Sequence, residues 1–450
     1  MTDYLELAKS IVNKAWTNDT EIEVMITDGT ETEIRVNKGE VEQLSQSGSR
    51  GMGVRAIQNG KQGYAYTSDF SEESIEQTWR TAVELAQVAT EDEFRKLPEP
   101  EPIADEDLEI YDPDFMSVPV EDKVAVAMNV EKAAMAFDER IFMTQRTTYG
   151  DYAQHTYLAN SKGFEGSYGS TGAYAFLSAL AKDEAGGMVA GTHFGVSTSF
   201  ASLDGEAIGK RAAEKAVSLL GGEPVPTQKT TVVLDHIVGA QILAALSQAL
   251  SASNWQRSRS FLMGRMGEEV GSAMVTLMDN GRLKGGFASA PFDGEGVPTK
   301  ATRLIDEGVL QNLTYDSYTA AKEGTVSTGN AGRNGHRSLP SLSPTNFYMQ
   351  AGNKSPEEII KDVDEGFYVL SVMTTGGIDP VTGECSMSAN GVWIKDGEFT
   401  QTVGGVAIAT TLNDFLMNVS DVGNDLMQIP FFGAIGVPTL RVDNVTVSGT

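Results

Sequence analysis

The chain has 450 residues, of which 62 are acidic and 34 are basic, so its formal net charge is −28. Such a charge repels the phosphates of nucleic acids and of anionic lipids, which excludes direct nucleic-acid binding and membrane binding as leading functions. A chain of this length predicts two or three domains, and its apolar content of 40% is that of an ordinary globular protein.

Two further features bear on location. No apolar run approaches the roughly 18–20 residues that cross a bilayer, and residues 1–23 contain acids but no apolar signal-peptide core. Cys385 is the only cysteine, which excludes an intrachain disulfide and a cysteine-based zinc cluster. We therefore expect a cytoplasmic protein.

Residues 1–95 predict an N-terminal α+β domain. Asp3 is suited to cap a first helix, because apolar residues recur after it at helical spacing. An alternating strand follows and is expected to end at Asp28-Gly29, with further alternating segments after it. A hairpin is predicted around Asn59-Gly60, and Ser71 is suited to begin a second helix.

The remaining chain predicts a linker and two more domains. Residues 96–119 predict an extended linker, because three prolines alternate with acids. Residues 120–222 predict a central α+β domain, with antiparallel strands between a first helix and a last one that ends at Gly221-Gly222. Residues 230–450 predict a C-terminal, mostly antiparallel β domain that begins with one helical stretch. The fold class is therefore α+β.

Common nucleotide and metal motifs are not supported. "GMGVRA", residues 51–56, fits GxGxxA, but a second strand follows where a dinucleotide site needs a helix, which favours a hairpin. The four histidines, which lie too far apart in sequence for an HExxH-type helix face, are His155, His193, His236 and His336. No Walker motif or GxSxG elbow is present.

Two places keep a metal-binding or catalytic interpretation open: Asp235-His236 and Cys385. Asp235-His236 offers two metal ligands or an acid–base pair, although Asp235 is also placed to cap a helix, and the helix start is the favoured interpretation. Cys385 would be a catalytic thiol only beside a histidine in space, so a half-buried structural cysteine is favoured.

Five segments that follow one another along the chain point to a family: "GMGVRAIQNGKQGYAYTSD", "GEAIGKRAAEKAVSLLGGEPVPTQKTTVVL", "FASAPFDGEGVPTKATRLIDEGVLQNLTYDSYTAAKEGTVSTGNAGR", "GGIDPVTGECSMSANGVWIKDGEF" and "GVPTLRVDNVTVSGT". Together they are similar to the TldD/PmbA family, whose members carry the historical label of modulators of DNA gyrase. The resemblance covers nearly the whole chain.

The resemblance implies one of two kinds of subunit. In the TldD kind, an HExxxH motif and a cysteine near the C-terminus hold zinc, and the glutamate activates the bound water. The PmbA kind, also called TldE, lacks this motif and pairs with TldD. Here the motif position falls on "LAALSQ", residues 243–248, and the matching stretch "NDLMQIPFFGAIGVP" has no cysteine. The chain therefore resembles the PmbA/TldE kind. Its apolar helix face, predicted to pack inward, comprises Ile242, Leu243, Leu246 and Leu250.

The resemblance predicts a non-catalytic subunit of a cytoplasmic zinc metallopeptidase that processes small or unfolded peptides. The zinc would belong to a TldD-like partner, with no cofactor in this chain, and the partner would be that subunit or a second copy. The Gly-rich loops 285–299 and 327–337 are expected to line a shared cavity. The candidate substrate-binding residues within them are Asp293, Glu295, Asn330, Arg333 and His336.

Other functions stay open at this point. One is an active metallopeptidase with atypical ligands such as Asp235, His236 or Cys385. Another is a stand-alone homodimeric peptide-binding protein, which would take an extended peptide by strand addition at a sheet edge. A direct effect on gyrase or DNA rests on the family's historical label alone, and the net charge argues against DNA contact.

Overall fold

The computed structural model describes residues 3–373, 377–430 and 434–449. In the first half of the chain, the helices and strands are α1 (Tyr4–Ala15), β1 (Glu21–Asn37), β2 (Glu40–Gln58), β3 (Lys61–Thr67), α2 (Glu72–Val88), α3 (Val120–Met135), β4 (Ile141–Asn160), β5 (Glu165–Lys182), β6 (Met188–Ser197) and α4 (Gly205–Ser218). In the second half they are β7 (Gln228–Leu234), α5 (His236–Ala249), α6 (Ala252–Gln256), β8 (Leu277–Asn280), β9 (Ala301–Asp306), β10 (Val309–Leu310), α7 (Ser317–Glu323), β11 (Ala331–Gly332), β12 (Ser341–Leu342), β13 (Phe347–Met349), α8 (Pro356–Lys361), β14 (Glu365–Met373), β15 (Glu384–Lys395), β16 (Glu398–Thr411), α9 (Leu412–Met417), β17 (Val419–Val422), β18 (Met427–Ile429), β19 (Ile435–Val437) and β20 (Leu440–Ser448). The predicted α+β class is confirmed. Among these residues, no helix combines the length and apolarity that a bilayer crossing requires.

One antiparallel sheet runs through the first half of the chain, with the strand order β3-β2-β1-β4-β5-β6. Its long central strand β1 pairs with β2 on one side and with β4 on the other. Strands from both sides of the proline-rich segment 96–119 therefore belong to one sheet. The domain boundaries expected above, at 95, 119, 222 and 230, stay predictions.

The predicted helix caps and hairpin are present. The Asp3 carboxylate accepts hydrogen bonds from the first turn of α1, and the Ser71 hydroxyl accepts one from the first turn of α2. Asn59 and Gly60 have positive φ angles of 51° and 74°, which the tight turn between β2 and β3 requires. Residues 51–56 accordingly lie in strand β2 and not at a helix start.

The predicted strand end at Asp28-Gly29 is wrong. Strand β1 continues through these two residues, because β2 and β4 pair with them from both sides. The chain turns nine residues later, at Lys38-Gly39, where both residues have positive φ. An Asp-Gly pair favours a turn only locally, and two flanking strands override that preference.

Both faces of β1 are buried, and this places the candidate site. Ile22, Val24 and Ile26 pack against α1 and α2 on one face. The alternate residues Glu23, Met25 and Thr27 are also buried, and they lie on the opposite face because successive strand residues point to opposite sides. That second face meets the C-terminal half of the chain, where Met25 packs with Phe292.

The C-terminal half contains two further sheets around one helix. Their orders are β16-β15-β14-β7-β20-β17 and β10-β9-β8-β13-β19-β18, and β16 also pairs with β20, which closes part of the first sheet into a ring. Helix α5 contacts β14 of the first sheet and β13, β18 and β19 of the second. Most of the described pairings are antiparallel, and β7–β14 and β13–β19 are parallel. The predicted mostly antiparallel C-terminal region is therefore confirmed.

Helices α3 and α4 approach backbone to backbone at Gly209, which gives a first prediction. A Cβ at Gly209 would lie 2.1 Å from the carbonyl oxygen of Val130. Alanine normally stabilises a helix interior by about 1 kcal/mol over glycine, but overpacking costs about 1–3 kcal/mol. We expect Gly209→Ala to lower the free energy of unfolding in a urea titration. The control is Gly48→Ala, whose Cβ would meet its nearest atom at 3.9 Å, and it should change stability by less than about 0.5 kcal/mol. A more stable Gly209→Ala protein would contradict the close contact.

Candidate functional site

The candidate site lies where the polar face of the first sheet meets the Gly-rich loops of the C-terminal half. Strand β1 contributes Glu23 and Thr27, and β2 contributes Arg55. The loop 285–299 and the segment 327–337 close over these strands. The backbone of Gly294 donates to the carbonyl oxygen of Ala331, so the two loops are joined to each other.

Four buried charged residues hold this junction together. Arg55 donates from Nη2 to Glu23 Oε2 at 2.8 Å and from Nη1 to Glu295 Oε1 at 2.9 Å. Arg333 forms a second ion pair with Glu23. The Glu23 side chain is 0% exposed and that of Arg55 is 4% exposed. Two carboxylates and two guanidinium groups balance in charge, which offsets the large cost of burying each one.

The mutual pairing sets the pKa values in this cluster. Burial opposes the charge of Arg55, but Glu23 and Glu295 outweigh it and raise the pKa of the guanidinium. Burial alone would raise the pKa of Glu295, and the charge and hydrogen bond of Arg55 lower it instead. Glu295 also accepts a hydrogen bond from the backbone N–H of Ser317, at the start of α7. The cluster is therefore charged and links three parts of the chain.

The Asp293 carboxylate connects the loop 285–299 to the segment 327–337 through hydrogen bonds. Its Oδ1 accepts hydrogen bonds from the backbone N–H groups of Glu295 and Val297, at 2.8 and 3.0 Å, and its Oδ2 accepts one from Ala331 at 3.0 Å. Burial, followed by the negative charge of Glu295, raises the pKa of Asp293 to about 7. This carboxyl group therefore titrates near neutral pH.

Asn330 and His336 also form buried side-chain hydrogen bonds at the junction. Asn330 Nδ2 donates to the buried carboxylate of Asp279 at 2.8 Å. His336 Nδ1 lies 2.8 Å from Thr27 Oγ1, and its backbone carbonyl accepts a hydrogen bond from the Tyr64 hydroxyl at 2.6 Å. Burial, with a contribution from the neighbouring Arg337 charge, lowers the pKa of His336. This histidine is therefore neutral at pH 7.

Glycine is required where His336 crosses the sheet. A Cβ on Gly51 would lie 2.1 Å from His336 Nε2, closer than any real contact. A Cβ on Gly53, the second glycine of "GMGVRA", would lie 2.1 Å from the hydroxyl oxygen of Tyr64. These glycines therefore let the C-terminal loop lie directly on strand β2, and this contact explains their place in the motif.

A cavity of about 200 Å³ lies between the sheet and the loops. Its walls include Thr27 and Gln154 from the sheet and Asp293, Asn330 and Arg333 from the loops. The Nε of Arg333 is buried and has no hydrogen-bond partner within the described residues. This donor is shielded from the cavity, because its nitrogen has almost no accessible surface.

All five residues predicted from the sequence come together at this junction. Asp293, Asn330 and Arg333 line the cavity, Glu295 lies behind them in the charged cluster, and His336 lines an adjoining groove. Sequence reasoning missed their partners Glu23, Arg55, Thr27 and Tyr64. In an alternating strand, a polar residue such as Glu23 is expected to face solvent, so no local signal identifies it as buried.

Helix α5 occupies the position where the family resemblance implies a zinc motif. Its residues Ile242, Leu243 and Leu246, and Leu250 directly after its last residue, are buried in the main core, which confirms the predicted inward face. Strands β18 and β19, from the matching C-terminal stretch, pack against α5. Residues 431–433 of that stretch lie outside the described residues. In the part of the chain that the structure describes, no three His, Cys, Asp or Glu side chains are arranged to hold a metal ion.

The three residues considered as atypical zinc ligands, Asp235, His236 and Cys385, have other contacts in the structure. Asp235 caps α5 and forms an ion pair with Lys215 at 2.7 Å, both side chains being buried. His236 Nε2 lies 2.9 Å from Asp425 Oδ2. Cys385 is 2% exposed in the main core, and burial raises its pKa to about 11. A buried protonated thiol is a poor nucleophile and a poor metal ligand.

Comparison with known proteins identifies relatives along nearly the whole chain. Three family models match: PmbA/TldA metallopeptidase domain 1 at residues 22–86, the central domain at 113–220 and the C-terminal domain at 227–449. The metalloprotease PmbA of Escherichia coli is 26% identical over 407 residues, covering 90% of this chain and 87% of that protein. A metalloprotease of Methanothermobacter thermautotrophicus is 29% identical over 439 residues, covering 93% of each chain.

A solved structure from Thermotoga maritima, described as a putative modulator of a DNA gyrase, has a TM-score of 0.90 and 27% identity and covers 99% of this chain and 100% of its own.

Removing one member of the charged cluster should destabilise the fold. Arg55→Leu leaves Glu295 buried without its partner, and we expect a loss of about 3–5 kcal/mol in the free energy of unfolding. A urea titration measures it. The control is Arg80→Leu, because Arg80 pairs with Glu76 in an exposed i,i+4 ion pair that is worth less than about 1 kcal/mol. Equal small losses in both variants would contradict the role of the cluster.

The raised pKa of Asp293 predicts a pH dependence of stability. An unfolded aspartate has a pKa of about 3.9, so between this value and about 7 the folded protein binds more protons. The stability that Asp293 contributes is therefore fully present below about pH 4 and is lost as the pH rises through 7. We expect Asp293→Asn to flatten the stability profile between these limits. An unchanged slope would show that Asp293 is already ionised.

Proposed function

The chain belongs to the PmbA/TldD metallopeptidase family, and we propose that it is the non-catalytic subunit of a cytoplasmic zinc metallopeptidase that processes small or unfolded peptides. Its partner would be a TldD-like subunit, and that subunit would hold the zinc ion. The family includes a TldD homologue from Haemophilus influenzae that is 26% identical to this chain over 428 residues, so both kinds of subunit share one ancestry.

The observation that carries this proposal is the chemistry of helix α5. Leucine, alanine and glutamine occupy residues 243, 244 and 248, where the two histidines and the glutamate of HExxxH would stand. Zinc takes imidazole, thiolate or carboxylate ligands, and Leu243 and Ala244 offer none. The described residues of the facing strands, 427–430 and 434–437, also contain no such ligand. Zinc therefore does not fit this place.

The contribution of this chain to peptide binding would come from the junction cavity. Its volume of about 200 Å³ has room for one side chain or one chain end. Gln154, a half-buried amide on the cavity wall, would form a hydrogen bond with the peptide backbone. We propose Asp293, Glu295, Asn330, Arg333 and His336 as the wall that supports this contact, most of them acting through the loop backbone.

The test is reconstitution of peptide cleavage with a TldD-like subunit from the same organism. An unfolded peptide would be incubated with this chain, with the TldD-like subunit and with an equimolar mixture. We expect cleavage by the mixture to exceed the sum of the separate chains, because the partner supplies the metal and this chain supplies part of the binding surface. If this chain alone cleaves at the rate of the mixture, the proposal fails.

Two variants distinguish the proposed non-catalytic function from the alternative, in which this chain is itself a metallopeptidase with atypical zinc ligands. His236→Gln and Cys385→Ser each remove a possible zinc ligand and leave the proposed cavity intact. We expect the mixture that contains either variant to cleave at the wild-type rate once its folding has been verified by thermal unfolding. A loss of more than about a hundredfold, as expected for a lost catalytic group, would support the alternative function.

A further inference from the structure

A groove of about 390 Å³ adjoins the junction cavity along strand β1. Thr27, Gln154 and Gly335 line both spaces, so the groove, called the β1 groove below, is continuous with the cavity. It follows β1 from Thr27 to Glu31, a distance of about 13 Å at the rise of a strand. An extended chain of four residues spans about the same distance. The β1 groove therefore has the length of a short extended peptide.

Arg337 is the arginine in this region whose charge is available to a ligand. It lines the β1 groove and is exposed, and its guanidinium group forms no ion pair within the described residues. Arg333, which lines the adjoining cavity, is already paired with the buried Glu23. In a chain with a net charge of −28, an unpaired guanidinium group in a groove provides a local attraction for an anionic group.

His336 holds the Arg337 side chain in place. The Nε of Arg337 donates to Nε2 of His336 at 3.4 Å. The neutral His336 ring therefore donates from Nδ1 to the Thr27 hydroxyl, and its backbone carbonyl is fixed by the hydroxyl of Tyr64. This arrangement engages only the Nε of Arg337. Its two Nη groups stay available as the fork that binds a carboxylate through two parallel hydrogen bonds.

Two acidic residues limit where an anionic group can bind. Glu31 lines the β1 groove four residues beyond Thr27, and Asp293 lines the cavity. Ionised carboxylates at these places repel a ligand carboxylate, whereas Arg337 attracts it. The walls between them include the neutral side chains of Gln154 and Tyr152, which suit an uncharged peptide backbone. The charges therefore favour a ligand whose carboxylate lies at the Arg337 end.

We propose that the β1 groove binds short peptides by their free C-terminal carboxylate, which pairs with the Nη groups of Arg337. The peptide extends from there along β1 toward Glu31, and a side chain near its C-terminus enters the junction cavity. His336 is the positioning residue for this contact. The inference deepens the proposed function and rests on it, because it specifies which peptides this chain would select: those with a free carboxyl end.

Isothermal titration calorimetry of the purified chain tests this selection. The two ligands are an N-acetylated tetrapeptide of alanine and serine and the same peptide as its C-terminal amide. We expect the free acid to bind about tenfold to a hundredfold more tightly, because the amide forms no charge-assisted hydrogen bonds with the guanidinium group. Arg337→Gln should abolish this preference. Arg337→Lys should retain part of it, since lysine keeps the charge without the fork.

Arg259→Gln is the matched control. Arg259 is also exposed and forms no ion pair in the described part of the chain, but it lines neither the β1 groove nor the cavity. This variant should therefore keep the full preference for the free acid. Because Arg337 and Arg259 are both exposed, neither substitution removes core packing, and thermal unfolding verifies that each variant is folded.

Three results would overturn the proposal: equal affinity of the wild-type chain for acid and amide, no binding of the free acid, and a preference that Arg337→Gln leaves intact. The titrations use this chain alone, so they are separable from the reconstituted cleavage assay. Cleavage by the mixture without a preference in the titrations would support the proposed function and contradict the role of Arg337. A preference without cleavage would contradict the peptidase function and leave the carboxylate site in place.

Discussion

The ion cluster of Glu23, Arg55, Glu295 and Arg333 is the constraint on which the junction depends. Two of its members lie on the central strands of the first sheet, and the other two lie in loops of the C-terminal half. A buried charge without its partner costs several kcal/mol, about 3–5 in measured cases. Neither half of the chain can therefore bury its charges without the other. The cavity and the contact of His336 with Thr27 lie at the same junction between the two halves.

Helix α5 illustrates how one fold accommodates different chemistry. Its place between two sheets demands a helix that is apolar on nearly every side, and Leu243, Ala245 and Leu246 meet that demand through packing alone. At the same positions, the TldD kind of subunit is implied to carry zinc ligands. Fold alone does not determine function, and Leu243 and Ala244 of α5 offer no zinc ligand.

Local signals predicted much of the fold. The caps at Asp3 and Ser71, the Asn59-Gly60 turn and the inward face of α5 follow from capping chemistry, turn chemistry and helical periodicity. The Gly-rich loops also predicted Asp293 and His336 as candidate substrate-binding residues, since such loops often border binding sites. These signals extend over a few residues, and each could be interpreted without knowledge of the rest of the chain.

The features that sequence reasoning missed depend on distant residues. Asp28-Gly29 has the composition of a turn, yet pairing with two flanking strands keeps it extended. Glu23 has the position of a solvent-facing residue, yet loops more than 250 residues away bury it. Only tertiary packing reveals these two outcomes, and the same packing creates the candidate site.

The zinc content of the purified chain, measured by mass spectrometry after exhaustive dialysis, tests the central claim most directly. We predict far less than one zinc per chain, because residues 243 and 244 of α5 and the described residues of the strands facing them offer no zinc ligand. About one zinc retained per chain would show that this chain itself holds the metal. The ligands would then have to be sought around His236 and Asp425, outside the position that the family resemblance implies.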